Sequence, residues 1–83
     1  MGTENPIFMD EYRGLEFDVN CYSLNGSNTA WEVGVVIRKL GGAILLPERR
    51  DHDRFYSTYE EAREAGISTA RHLIDQVVAS GAG

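Results

Sequence analysis

Cysteine is nearly absent from this 83-residue chain. Cys21 stands alone, so no disulfide can form within the chain, and a single thiol agrees with a reducing compartment. Long hydrophobic runs are missing too. The longest apolar stretches, around Val35 to Ile37 and Ala43 to Leu46, fall far short of the roughly 18 residues needed to cross a bilayer, so no membrane partner is expected. Residues 1 to 14 lack both the basic start and the apolar segment of a secretory signal, which points to a cytoplasmic protein. Positive charge is scarce. Eight Lys and Arg stand against thirteen Asp and Glu, and the net charge of −5 repels a phosphate backbone at long range and disfavours nucleic acid as a partner. A glycine-rich phosphate loop, a nucleophile elbow and paired-cysteine metal spacing are all lacking, so no cofactor, metal ligand or catalytic residue is assigned and no enzymatic activity is expected.

What remains is an ordinary globular composition, 42% hydrophobic and 25% charged, in a chain long enough for one small domain. Residues 1 to 11 mix turn-forming Asn5-Pro6 with a short apolar patch, Ile7, Phe8 and Met9, and show no period; a flexible N-terminal arm is expected. From Gly14 strict alternation begins, with Leu15, Phe17, Val19 and Cys21 on one side and Glu16, Asp18, Asn20 and Tyr22 on the other, the pattern of a half-buried strand. Asn25-Gly26-Ser27-Asn28 supplies a reversal. The second strand alternates Trp31, Val33, Val35 and Ile37 inward against Glu32, Gly34, Val36 and Arg38 outward.

Gly41-Gly42 reads as a two-residue turn into a third strand, Ala43 to Leu46, that Pro47 stops. In that register Ile37 faces Leu46 and Arg38 faces Leu45, and Val36, Leu40 and Leu45 share the outer sheet face. Residues 48 to 54 then form a charged loop, after which Phe55 and Tyr56 supply a short fourth strand. Thr58 and Glu61 make a capping box for a helix running to about Ala79, whose core stripe is Ala62, Gly66, Ala70, Leu73, Ile74 and Val77. Gly66 weakens a helix interior by about 1 kcal/mol against Ala, which a close approach of helix to sheet would offset. The expected fold is α+β: a three- or four-stranded antiparallel meander with one long C-terminal helix on one face. Residues 12 to 79 form the β-β-β(-β)-α domain, and residues 80 to 83 fray.

The polar residues divide between bland and specific readings. Asp51-His52-Asp53 could ligate a cation, but neighbours in sequence rarely converge on one ion and no second cluster completes the shell. His72 and Asp75 make a surface pair at helical spacing, and Cys21 is a small core hydrophobe. Arg38 to Arg54 carries a net +2 while the other 66 residues carry −7, which makes Arg49, Arg50 and Arg54 the one basic cluster. Tyr22 could stack a base, but alone it is a weak platform.

Phe55-Tyr56-Ser57-Thr58-Tyr59-Glu60-Glu61-Ala62, continuing through Ala65-Gly66-Ile67 to Ala70-Arg71 and Ile74-Asp75, resembles a helix that recurs in small uncharacterised bacterial proteins, and Trp31 to Ile37 fits the same layout. The resemblance covers roughly residues 12 to 78. It implies a single-domain β-meander followed by one helix, with no assigned activity. A single helix covers only one face of a sheet, so the expected function is a non-enzymatic interaction module acting through the open sheet face or edge, on a protein partner or on itself as a homodimer. Its candidate residues are Tyr22, Val36, Leu40 and Leu45, with Arg49, Arg50 and Arg54 beside them. The alternative is a nucleic-acid-binding or regulatory protein that uses the basic segment 48 to 54.

Overall fold

The computed structural model of the chain describes residues 6 to 81. The two alternating segments become the central strands of an antiparallel sheet, β2 (Leu15–Ser23) and β3 (Trp31–Lys39), paired without a break from Leu15 opposite Lys39 to Ser23 opposite Trp31. Their inward side chains form the core: Phe17, Val19, Cys21, Val35 and Ile37 are fully enclosed, and burial of each large apolar side chain contributes about 1.5–3 kcal/mol. The β2–β3 connection is held by Asn28, at φ 56°, whose carbonyl accepts from the Trp31 indole at 2.9 Å, and by Asn25, whose side chain accepts from the Thr29 N–H at 3.0 Å.

The helix α1 (Tyr59–Ala79) crosses β2 and β3 and makes far less contact with the strands outside them. Its buried residues are Ala62, Gly66, Ala70, Leu73 and Ile74, the stripe read from the sequence, with Val77 half-buried beside them. Gly66 lies directly over the sheet. A Cβ there would overlap Val19 Cγ1 and come within 3.0 Å of Val33 Cγ2, so the glycine sets how closely helix and sheet approach. At the N-terminus Thr58 Oγ1 accepts from the Glu61 N–H at 3.1 Å, while the Glu61 carboxylate accepts from the N–H of Ser57 at 3.2 Å. At the other end Ser80 and Gly81 donate back to Gln76 and Val78; the rest of the expected frayed tail, residues 82 and 83, lies outside the described residues.

Three expectations need correction. Residues 7 to 11 are not an arm: Ile7–Tyr12 forms an edge strand, β1, paired with β2 from Ile7 opposite Asn20 to Tyr12 opposite Leu15. The turn that makes this possible is Arg13-Gly14, with φ of 54° and 84°, both positive as a type I′ hairpin requires. Phe8 turns onto the core with its ring centroid 6.4 Å from that of Phe17, and Tyr12 and Arg13 are both tied to Asp75 of the helix, at 3.0 and 2.7 Å. The domain therefore begins before residue 12; residues 1 to 5 of the expected arm lie outside the described residues.

Second, Pro47 does not end a strand. A single strand, β4 (Ile44–Tyr56), runs through Pro47, the charged segment 48 to 54 and Phe55-Tyr56. Pro47 is tolerated because β4 is an edge strand, where a missing N–H need not break a ladder. Third, the turn between β3 and β4 spans Leu40, Gly41 and Gly42, closed by Lys39 N–H to Ala43 O at 2.8 Å and Gly42 N–H to Lys39 O at 2.9 Å. Ile37 does face Leu46, but Arg38 faces Ile44, because a bulge at Leu45 absorbs the extra residue. The sheet order is β1-β2-β3-β4, each strand beside its neighbour in sequence.

Candidate interaction edges

Antiparallel pairing alternates, so each residue of an edge strand directs its N–H and C=O either to its neighbour or to solvent. In β1 the phase is set by the Cys21 N–H, which donates to the carbonyl of Pro6 at 3.1 Å. Residues 6, 8, 10 and 12 therefore bond to β2, and Ile7, Met9 and Glu11 direct their backbone groups outward. The six pairs of β1 with β2 follow one register with no bulge. Ile7 and Met9 lie on the sheet face away from the helix, each 60% exposed. This edge is regular, unbulged and partly apolar.

The opposite edge is different. Pairing of β4 with β3 shifts register three times, between Trp31 and Val33, between Val35 and Ile37, and between Ile37 and Arg38. The largest shift leaves residues 52 to 55 unopposed between Asp51 and Tyr56. Pro47 removes one donor, and Glu48 through Arg54 carry six charged side chains and a histidine, all exposed. Bulges, proline and charge are the devices that keep an edge from pairing with another chain.

Away from Ile7 and Met9, the sheet face opposite the helix is mostly polar. Gly34 leaves room for the Glu48 carboxylate, which accepts from Asn20 at 3.3 Å and from the Tyr22 hydroxyl. Arg50 lies over the Tyr22 ring, 3.7 Å from its centroid, and donates through Nε to Glu32 at 2.7 Å, while His52 Nδ1 lies 3.2 Å from the same carboxylate. Arg38 bridges Asp18 at 2.8 Å and Glu16 at 3.5 Å. Burial, together with the bond to the Glu48 carboxylate, raises the Tyr22 phenol above its ordinary range. For Glu32, burial pulls upward, but the combined hydrogen bonds and charges of Arg50 and His52 outweigh it and hold the carboxyl below its usual value.

The residues proposed from the sequence are thus dispersed. Tyr22 and Arg50 meet in the stack on the outer face, where Val36 is half-buried. Leu40 is exposed in the β3–β4 turn, and Leu45, at its bulge, packs against core residues. Arg49 sits opposite Val35, on the helix side of the sheet, where it lines an open groove of about 260 Å³ with Leu46, Pro47 and Leu73. Arg54 belongs to the unopposed stretch of β4. Asp75 pairs with Arg13 rather than His72, and His72 meets Gln76 at 3.2 Å. Cys21 is buried, and desolvation pushes its thiol up to about 11.

Sequence reasoning missed Ile7, Met9 and Glu11 as edge residues and Glu32 as a buried carboxylate. The Arg13-Gly14 pair ahead of a clean alternating strand was the available signal for the first three. No family pattern, no curated protein and no solved structure matches the chain. Among the described residues no helix is long and apolar enough to cross a membrane.

Proposed function

We propose that the chain is a small non-enzymatic interaction module that accepts an extended strand along the free edge of β1. The observation that carries this reading is the contrast in register: β1 is unbroken and presents the backbone of Ile7, Met9 and Glu11 outward, whereas β4 is bulged, charged and carries Pro47. Strand addition takes its affinity from main-chain hydrogen bonds and its selectivity from alternate side chains, and exposed Ile7 and Met9 offer apolar contacts for the latter. The polar outer face supports this choice indirectly. Its charges are largely matched within the sheet, which leaves the edge with the larger unsatisfied bonding capacity.

Nucleic-acid binding through residues 48 to 54 has less support. Arg50 is engaged by Glu32 and Tyr22, and Arg54 lies in the unopposed stretch of β4, away from Arg49 opposite Val35.

Site-specific photo-crosslinking in the native cytoplasm tests the edge. A benzophenone side chain at Met9 should give protein adducts, and the same group at Arg54 should give few. Adducts at Arg54 with none at Met9 would transfer the function to β4 and overturn the proposal.

A further inference from the structure

We infer that the strand received by β1 is β1 of a second copy of this chain, paired antiparallel about a two-fold axis at Met9. The inference rests on the β1-edge reading above and names its occupant.

The argument is one of registers. Two identical antiparallel strands related by a two-fold axis perpendicular to the sheet must place some residue opposite itself. With Met9 at the axis, Ile7 faces the partner copy's Glu11 and Met9 faces its own copy. All three residues whose backbone groups point outward then pair with residues of the same kind: Ile7 exchanges bonds with Glu11, Met9 with Met9, and Glu11 with Ile7. No like charges are opposed, and two exposed Met9 side chains cover each other.

The neighbouring registers do worse. An axis at Asp10 opposes two carboxylates, and an axis at Glu11 does the same. An axis at Phe8 pairs Ile7 with Met9 but leaves Glu11 without a partner among residues 6 to 12, and it needs two Phe8 rings opposed although each is turned onto Phe17 of its own core. The β4 edge offers no comparable register, because no stretch of it longer than Arg49 to Asp51 keeps one pairing offset. The result is a continuous eight-stranded sheet with β1 strands at its centre and the protected β4 strands at both rims. The area joined is that of a six-residue strand, so the dimer is weak and concentration-dependent.

Sedimentation equilibrium across a wide concentration range, together with edge variants, tests this. The wild-type chain should dimerise at high concentration. Met9→Pro removes an N–H that β2 does not use, so it should melt like the parent yet stay monomeric. Should proline disturb the fold, Met9→Asp places two carboxylates face to face at the axis and should also abolish the dimer. Met9→Cys should form an intermolecular disulfide on air oxidation that thiol reductant reverses, since directly opposed strand residues lie within disulfide reach. Native Cys21 is buried and takes no part.

A wild-type chain monomeric at millimolar concentration overturns the inference, as does a dimer that survives both Met9→Pro and Met9→Asp. Disulfide formation between Ile7→Cys and Met9→Cys chains, without Met9→Cys self-linkage, overturns the register. If the photo-crosslinker at Met9 joins another protein and never a second copy, the occupant assigned here is wrong while the β1 edge stands; no adduct at Met9 removes both.

Discussion

Strands β1 and β4 hold equivalent positions at the two ends of one sheet, and each leaves half its backbone groups without a strand to bond. β4 carries a proline, three register shifts and a run of charged residues, and several of its side chains are drawn back onto the sheet: Glu48 to Tyr22 and Asn20, Arg50 and His52 to Glu32. β1 has none of these. It is half as long, unbulged, anchored on the helix side by Phe8 and Tyr12 and open on the other through Ile7 and Met9. A chain that defends one edge this heavily and leaves the other regular distinguishes them chemically, and an incoming strand would meet the least resistance where the defence is missing.

The sharpest way to break this comparison is to destroy β1 from inside. Phe8→Pro removes a hydrogen bond to β2 and the ring that packs on Phe17, and should lower unfolding free energy by about 3 kcal/mol in urea titration. Met9→Pro, one residue away, should change it by less than about 1 kcal/mol, because that N–H faces outward. Equal effects of the two would mean that the phase assigned to β1 is inverted.

On the β4 side, Gly34→Ala puts a methyl where the Glu48 carboxylate lies, so Glu48 must swing away from Tyr22 and Asn20. The loss should be about 1 kcal/mol by thermal or chemical unfolding, since a flexible side chain rather than backbone has to yield. It should leave self-association through β1 unchanged.

Acid should act on both edges by a smaller, graded amount. Glu32 and Asp75 have carboxyls held below their ordinary values of 4.5 and 3.8, Glu32 because Arg50 and His52 outweigh its burial and Asp75 chiefly through its bond from Arg13. The stabilising contribution of such groups is complete above those ordinary values and is lost as pH falls through the depressed folded ones. Unfolding free energy should therefore fall as pH drops below about 5, and Glu32→Gln should flatten part of that slope. A Glu32→Gln profile parallel to the parent would show that the Arg50 and His52 contacts do not stabilise the fold. The smallest effect belongs to Arg54→Ala, in the unopposed part of β4, expected within about 0.5 kcal/mol of the parent.

The elements that bury one whole face were legible in the sequence. β2, β3 and α1 show clean periods because one side of each is packed in the apolar core and the other carries polar residues or glycine, and the capping pair Thr58 and Glu61 marked where the helix starts. The edges were not legible for the converse reason. The helix makes only a few contacts with them, so β1 and β4 need no strict alternation of apolar residues: β1 places Asp10 on the same side as Phe8 and Tyr12, and β4 is exposed from Pro47 to Phe55. In sequence Pro47 reads as a strand end and the charges after it as a loop, although an edge strand tolerates both. The outer-face site was misplaced by one bulge: with Leu45 at an extra residue, Val36, Leu40 and Leu45 never become one apolar surface.

The strand order β1-β2-β3-β4 also governs how the molecule assembles in time. Every strand pair can close through its own short turn, the tightest being Arg13-Gly14, so the sheet needs no long loop to be fixed before its first contacts form. The distant closure is the return of the helix over the sheet, where Gly66 must seat against Val19, 47 positions earlier in sequence. Isolated hairpins close on the microsecond scale, so the more distant helix contact is expected to form after them. A chain lacking that contact would leave the inward residues of β2 and β3 open to water, so changes at Gly66 should raise misassociation as well as lower stability.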